Sequence, residues 1–169
     1  MPHSLCHECL HQLWDTFGVE DKIKQAGVEY NHMVLNIASD CVINDYLKRI
    51  TKYHKIEIIE LKDENDLSKE AKNIVKYIDS KDYVISLDIN GKTFNSQDFA
   101  NLLNLTFINY SNIVFIIGSS FGLDESIKKR SNLLLSFSSM TFPHGLFRGI
   151  LLEQIYRAFK INNNESYHK

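Results

Sequence analysis

A chain of 169 residues, 44% hydrophobic and 24% charged, has the make-up of one folded domain and excludes a disordered polypeptide. Its longest apolar runs, such as Ile113–Ile117 and Ile150–Leu152, fall far short of the roughly 18 residues of a membrane span. The net charge of −2 is unevenly spread: residues 1–127 carry 12 Lys and Arg against 19 Asp and Glu, and residues 128–169 carry 7 against 2, so the basic end either meets a phosphate backbone or complements helix dipoles.

The opening MPHSLCHECLHQ has neither the basic start nor the apolar stretch of a signal peptide, and the expected compartment is the cytoplasm. Cys6 and Cys9 form a C-x-x-C beside His3 and His11, but zinc needs about four ligands and a second C-x-x-C is missing, so no metal is expected. With Cys41 the three cysteines make no disulfide framework. Leu10, Leu13, Trp14 and Phe17 suit a turn or two of amphipathic helix before Gly18 and Gly27 break the pattern. Residues 1–32 therefore read as an N-terminal extension to a domain over 33–169.

From there strands and helices alternate. Short apolar strands are expected at Val34–Ala38, Ile56–Leu61, Tyr83–Asp88, Ile113–Ile117 and Leu133–Phe137. Helices are expected at Ile43–Tyr53, Ser68–Ile78, Ser96–Leu105, Leu123–Arg130 and Gly145–Lys160, with Ser96 as an N-cap. This alternation predicts an α/β fold with a largely parallel sheet. Asp88–Lys92 reads as a turn in which Gly91 supplies a positive φ. On the last helix Glu153 and Arg157 form an i,i+4 pair, and Arg148 borders the stripe of Leu152, Ile155 and Phe159, where a charge is usually a snorkelling boundary residue.

Open α/β sheets bind ligands beyond the carboxyl ends of their strands. Three such ends stand out: Ser86–Asp88, Ile117–Gly122 and Ser136–His144. The second has glycines at 118 and 122 but neither a Walker ending nor G-x-G-x-x-G, and alone reads as a turn. The third offers hydroxyls and backbone amides suited to an adenine edge and a ribose, with Pro143 opening the final helix. No Ser/His/Asp set, H-E-x-x-H motif or activated cysteine is visible.

At these loops the sequence matches a known pattern. V-I-S-L-D-I-N-G-K at 84–92, F-I-I-G at 115–118, R-S-N at 130–132, S-x-M-T-x-P-H at 138–144, L-x-E-Q-x-Y-R-A-x-K-I at 151–161 and the closing Y-H-K together resemble the ribosomal RNA large-subunit methyltransferase H family of SPOUT methyltransferases. The resemblance covers roughly residues 46–169. It implies an α/β domain with a C-terminal deep trefoil knot, a rare exception among folds. It also implies a homodimer that methylates N3 of a pseudouridine in 23S ribosomal RNA within the assembled ribosome, with S-adenosylmethionine as cofactor. Carried over by position, cofactor contacts fall at Leu87, Gly118, Phe137, Ser138, Ser139, Met140, Thr141 and Phe142. Arg148, Tyr167 and His168 are the catalytic candidates, and Lys169 the phosphate contact. His168 has the tail's one side chain with an ordinary pKa near neutrality. Methyl transfer needs an aligned nucleophile and a proton acceptor, without a metal.

The chain departs from the family at Gly118-Ser119, where two glycines are usual, at Met33–Cys41, where a strand normally runs into a Gly-Lys loop, and in a shortened helix at Ser68–Ile78. Two other readings stay open: a SPOUT domain that holds ribosomal RNA without catalysis, and a flavodoxin-like nucleotide module.

Overall fold

The computed structural model describes residues 30–62, 64 and 66–167. The C-x-x-C pair, Trp14, Phe17, His168 and Lys169 lie outside the described residues.

Helix α1 spans Tyr30–Ile50. It absorbs Val34–Ala38, which periodicity had suggested as a strand, and runs across the expected boundary at 32/33. The physical reason is local: these 21 residues contain no Gly or Pro, and Ile43, Tyr46, Leu47 and Ile50 recur at helical spacing toward the core. Ile56–Leu61 is irregular chain rather than a strand. Among the described residues it has no ladder partner, so Ile56 packs on the core while Ile58 and Ile59 remain exposed.

Helix α2, Leu67–Val75, starts where Asp66 accepts from the Ser68 N–H at 2.9 Å. Strand β1 then runs from Tyr83 to Thr93, well beyond the expected Asp88. Helix α3, Ser96–Asn109, is capped by Asn95, which accepts from Asp98 N–H at 2.8 Å, so the cap lies one residue before Ser96. Strand β2 is Ile113–Ile116, helix α4 is Glu125–Arg130, strand β3 is Leu133–Ser136 and helix α5 is His144–Asn162.

The sheet is fully parallel, in the order β2-β1-β3, as the apolar strand pattern predicts. Val84, Ile85 and Ser86 of the central strand are completely buried. Ser86 shares a 2.6 Å hydrogen bond with Ser131, and Asn132 both accepts from Val84 N–H and donates its own N–H to Val84 O, each at 2.8 Å. Arg130 donates to the carbonyl of Asp79 at 2.8 Å. The R-S-N run is thereby explained as the clasp that seats β3 against β1.

Leu87 and Lys92 both face Leu135, so residues 88–91 bulge out before the ladder resumes. Gly91 does not supply the expected positive φ. A Cβ there would lie 2.7 Å from backbone atoms of Leu134 and Leu135, so glycine is required by close strand approach. Helix α5 crosses the core between α1 and α3, with Leu151, Leu152, Ile155 and Ala158 buried.

Candidate functional site

Parallel pairing brings the carboxyl ends of three adjacent strands to one edge of the sheet, and with them Leu87, Gly118 and Phe137. Each loop is fixed by its own residues. After β1, Asp88 accepts from Asn90 N–H and from Lys128 Nζ, both at 2.8 Å. The Lys128 ammonium, and then the Asn90 N–H, hold the Asp88 carboxyl below its usual range, and the same bond pushes Lys128 up. Helix α4 is thus tied to the end of β1.

After β2, Gly122 N–H donates to Ser119 O at 2.9 Å and closes a turn, with Gly122 at φ +85. A Cβ on Gly118 would come within 2.5 Å of Gly122 O. Gly118 is therefore required by the loop's own closure. The Ser119 hydroxyl, at the departure from two glycines, donates to Glu70 of α2 at 3.0 Å, and Glu70 also accepts from Glu64 N–H.

After β3, Ser136 donates to Ser138 O at 3.1 Å and Met140 N–H donates to Ser138 Oγ at 3.0 Å. Phe137 packs edge-on against Phe147 at 5.4 Å, and Phe142 stacks on the same ring at 5.8 Å. The loop is an arch with both feet on Phe147, leaving Ser139, Met140 and Thr141 exposed between them. Beside it lies a cleft of about 610 Å³. Phe94, Phe137 and Phe142 supply flat apolar walls, and Asn95, Gln97 and Gln154 supply amides. Its volume lies in the usual range for small-molecule sites. Leu87 and Gly118 are not among its walls, so the structure brings only part of the expected cofactor set to this cleft. The stretch Phe94–Gln97 had been read only as a helix start; no motif marked it as a wall.

Arg148 bonds Glu60 through Nη1, and its buried Nε has no hydrogen-bond partner. Tyr167 is held elsewhere: its hydroxyl donates to Glu153 Oε1 at 3.2 Å and lies 3.4 Å from the Tyr46 hydroxyl. Burial first, and then Tyr46, push its phenol well above the usual range. The expected Glu153–Arg157 pair is present at 2.6 Å.

The basic C-terminal region is largely paired internally. Lys128, Arg148, Arg157 and Lys160 meet Asp88, Glu60, Glu153 and Glu165, and Arg130 bonds backbone. Lys128, Lys129 and Arg130 also occupy the last turn of α4, where cations suit the helix dipole. Among the described residues no group of three or more His, Cys, Asp or Glu could hold a metal ion, and no helix is long and apolar enough to cross a membrane.

Comparison with known proteins gives this geometry a family. The profile described as "Predicted SPOUT methyltransferase" matches residues 35–168. A protein of Caldicellulosiruptor saccharolyticus named ribosomal RNA large subunit methyltransferase H is 47% identical over 134 residues, covering 74% of this chain and 87% of the relative. A protein of the same name from Streptococcus pyogenes is 46% identical over 140 residues, covering 75% and 88%. The match includes all three strand-end loops and the α5 helix, and the chain belongs to the SPOUT methyltransferases, in the ribosomal RNA large subunit methyltransferase H family.

Proposed function

We propose that this protein methylates N3 of a pseudouridine in 23S ribosomal RNA within the assembled ribosome. The observation that carries the reading is the arch Phe137–Phe142, held on Phe147 beside an aromatic and amide cleft, inside the segment matched to the family. Its flat faces and neutral donors suit an adenosine, whose base stacks and whose edge bonds amides. The residues present thus fit S-adenosylmethionine, held by Leu87, Gly118 and Phe137, Ser138, Ser139, Met140, Thr141 and Phe142. When bound, that cofactor supplies an activated methyl group.

The chain's own residues do the rest. The arch and the cleft orient the cofactor and limit water. An N3 nucleophile must give up a proton, and His168 is the acceptor with a suitable ordinary pKa. Arg148 stabilises the negative charge that develops on the base, its Nε–H being the donor without a partner in the free protein. Lys169 meets phosphate.

The same reading includes a homodimer and a trefoil knot. Ile89, Phe121, Met140 and Leu146 are exposed large apolar residues at or next to the three strand-end loops, which suits a second subunit placed over them. For the knot, support comes from β3 pairing with β1 on the side opposite β2, which requires the chain to cross the central strand. The compartment is the cytoplasm, where ribosomes reside.

Purified protein, labelled S-adenosylmethionine and ribosomes lacking the modification test the function. Transfer to intact ribosomes at one pseudouridine is expected. Cofactor binding without transfer would favour the non-catalytic RNA-binding reading, and no binding would favour the nucleotide module.

A further inference from the structure

The last described residues do not trail away from the domain; they turn back onto it. Asn163 N–H donates to Phe159 O, Asn164 N–H to Ile161 O and Glu165 N–H to Lys160 O, at 2.9–3.0 Å. Asn164 adopts φ +55, a left-handed conformation that asparagine tolerates better than most residues. The reversal delivers Glu165 and Tyr167 to two separate locks.

In the first lock, Glu165 Oε2 accepts from the Tyr53 hydroxyl at 2.9 Å and from the Lys160 ammonium. Those two bonds, that from Lys160 first, hold its carboxyl below the usual range. In the second, the Tyr167 hydroxyl lies between Glu153 and Tyr46. Its ring stands edge-on to Tyr156 at 5.0 Å, with the Arg157 guanidinium also 5.0 Å from the ring centre. Tyr46 comes from α1 and Tyr53 from the turn after it, so one end of the domain grips the other across more than 110 positions.

A chain end is disordered by default, and an ordered one needs a reason. These contacts are spread over two residues, each engaging both α5 and the α1 end, so they fix where the chain leaves the domain and in which direction. Two residues beyond Tyr167 can reach at most roughly 7 Å. The placement of Tyr167 therefore sets the volume that His168 and Lys169 can sample.

We propose that Tyr46, Tyr53, Glu165 and Tyr167 form a clamp that positions the terminal His168-Lys169 pair over the target nucleotide. Tyr167 is then a positioning residue and not a proton carrier, since its hydroxyl is already held by Glu153 and Tyr46. The inference rests on the proposed role of the tail, and its test is arranged to separate the two.

Three proteins are compared with wild type: Tyr46→Phe/Tyr53→Phe, which removes only two hydroxyls; His168→Ala/Lys169→Ala; and the combination. Glu165→Gln provides a second route to the same lock. Each is measured for melting temperature, S-adenosylmethionine affinity by calorimetry, and kcat and KM on ribosomes. The clamp variant should keep cofactor affinity and lose about tenfold or more in kcat, the usual cost of misplacing a proton acceptor. Combined with the tail substitutions it should lose nothing further, because both changes remove the same contribution. Full kcat in both the clamp variant and Glu165→Gln, with a disabled tail variant, would overturn the clamp and leave the tail's role standing. An equal further loss in the tail-substituted background would also overturn it, since that marks a general structural effect. Full activity of the tail variant itself would remove the tail's role and the clamp with it.

Discussion

Replacing Gly118 by alanine adds one methyl group where the structure has no room for it. The new Cβ would lie 2.5 Å from Gly122 O, 2.7 Å from the Gly122 carbonyl carbon and 2.9 Å from Leu123 Cγ. Two of those three atoms are backbone, in a turn closed by the Gly122 N–H bond to Ser119 O. Relief requires the loop to open. Overpacking of this kind costs roughly 1–3 kcal/mol. In a domain of this size about 2–4 °C corresponds to 1 kcal/mol, so the melting temperature should fall by about 2–12 °C. Gly122→Ala is the informative contrast. Its Cβ would meet nothing within 4 Å, but φ is +85, and the left-handed conformation costs a non-glycine residue roughly 1–2 kcal/mol. Gly122→Asn should recover part of that loss, because asparagine tolerates positive φ. Gly118→Ser should recover none of the loss at 118, because the clash is steric. Thermal unfolding by circular dichroism reads both series, and calorimetry with S-adenosylmethionine should show weakened binding in the Gly118 variants. A Gly118→Ala protein that melts with wild type and binds the cofactor unchanged would refute the loop-closure argument.

Further outcomes follow from other contacts. Lys128→Met should destabilise the protein by on the order of 1 kcal/mol at neutral pH. The Asp88 carboxyl is depressed in the folded state, so its contribution is present above the unfolded carboxylate pKa and is lost as pH falls through the lower folded value. Melting curves of wild type and Lys128→Met should accordingly converge in acid; a constant gap down to the lowest pH at which the fold survives would contradict the pair's role. Glu60→Gln frees Arg148 and should tighten ribosome binding with a steeper salt dependence, measured by filtration at several salt concentrations. Arg148→Ala should leave cofactor affinity intact while lowering kcat, and an effect on cofactor affinity alone would place Arg148 in the wrong role. Sedimentation at micromolar concentration should give a dimer, and Phe121→Lys, which puts a charge on the exposed apolar edge, should shift it toward monomer.

The sheet and the C-terminal helices were legible in the sequence because they obey local rules. Tyr83–Asp88, Ile113–Ile117 and Leu133–Phe137 are short apolar runs, and parallel strands covered on both faces look like that. The N-terminal half was less legible. Val34–Ala38 has β-branched residues, yet it lies in a stretch without a helix breaker that continues into Ile43–Ile50. Ile56–Leu61 has the composition of a strand, but a strand is defined by its neighbour, and composition does not carry one. Gly91 was correctly singled out for the wrong reason: a sequence shows that glycine is present, not whether torsion or proximity demands it. At the site, the arch Phe137–Phe142 could be located from its motif. The opposite cleft wall at Phe94–Gln97 and the Tyr46, Tyr53 and Glu165 contacts could not, because each depends on partners far apart in the chain.

The central claim is methylation of one pseudouridine in the large ribosomal RNA. Mass spectrometry of nuclease fragments of 23S ribosomal RNA, from cells with the gene, without it, and with it restored, reads that claim directly. The account predicts one fragment carrying an N3-methylated pseudouridine that loses its methyl group on deletion and regains it when the gene is returned. Identical fragment masses in all three strains would contradict it.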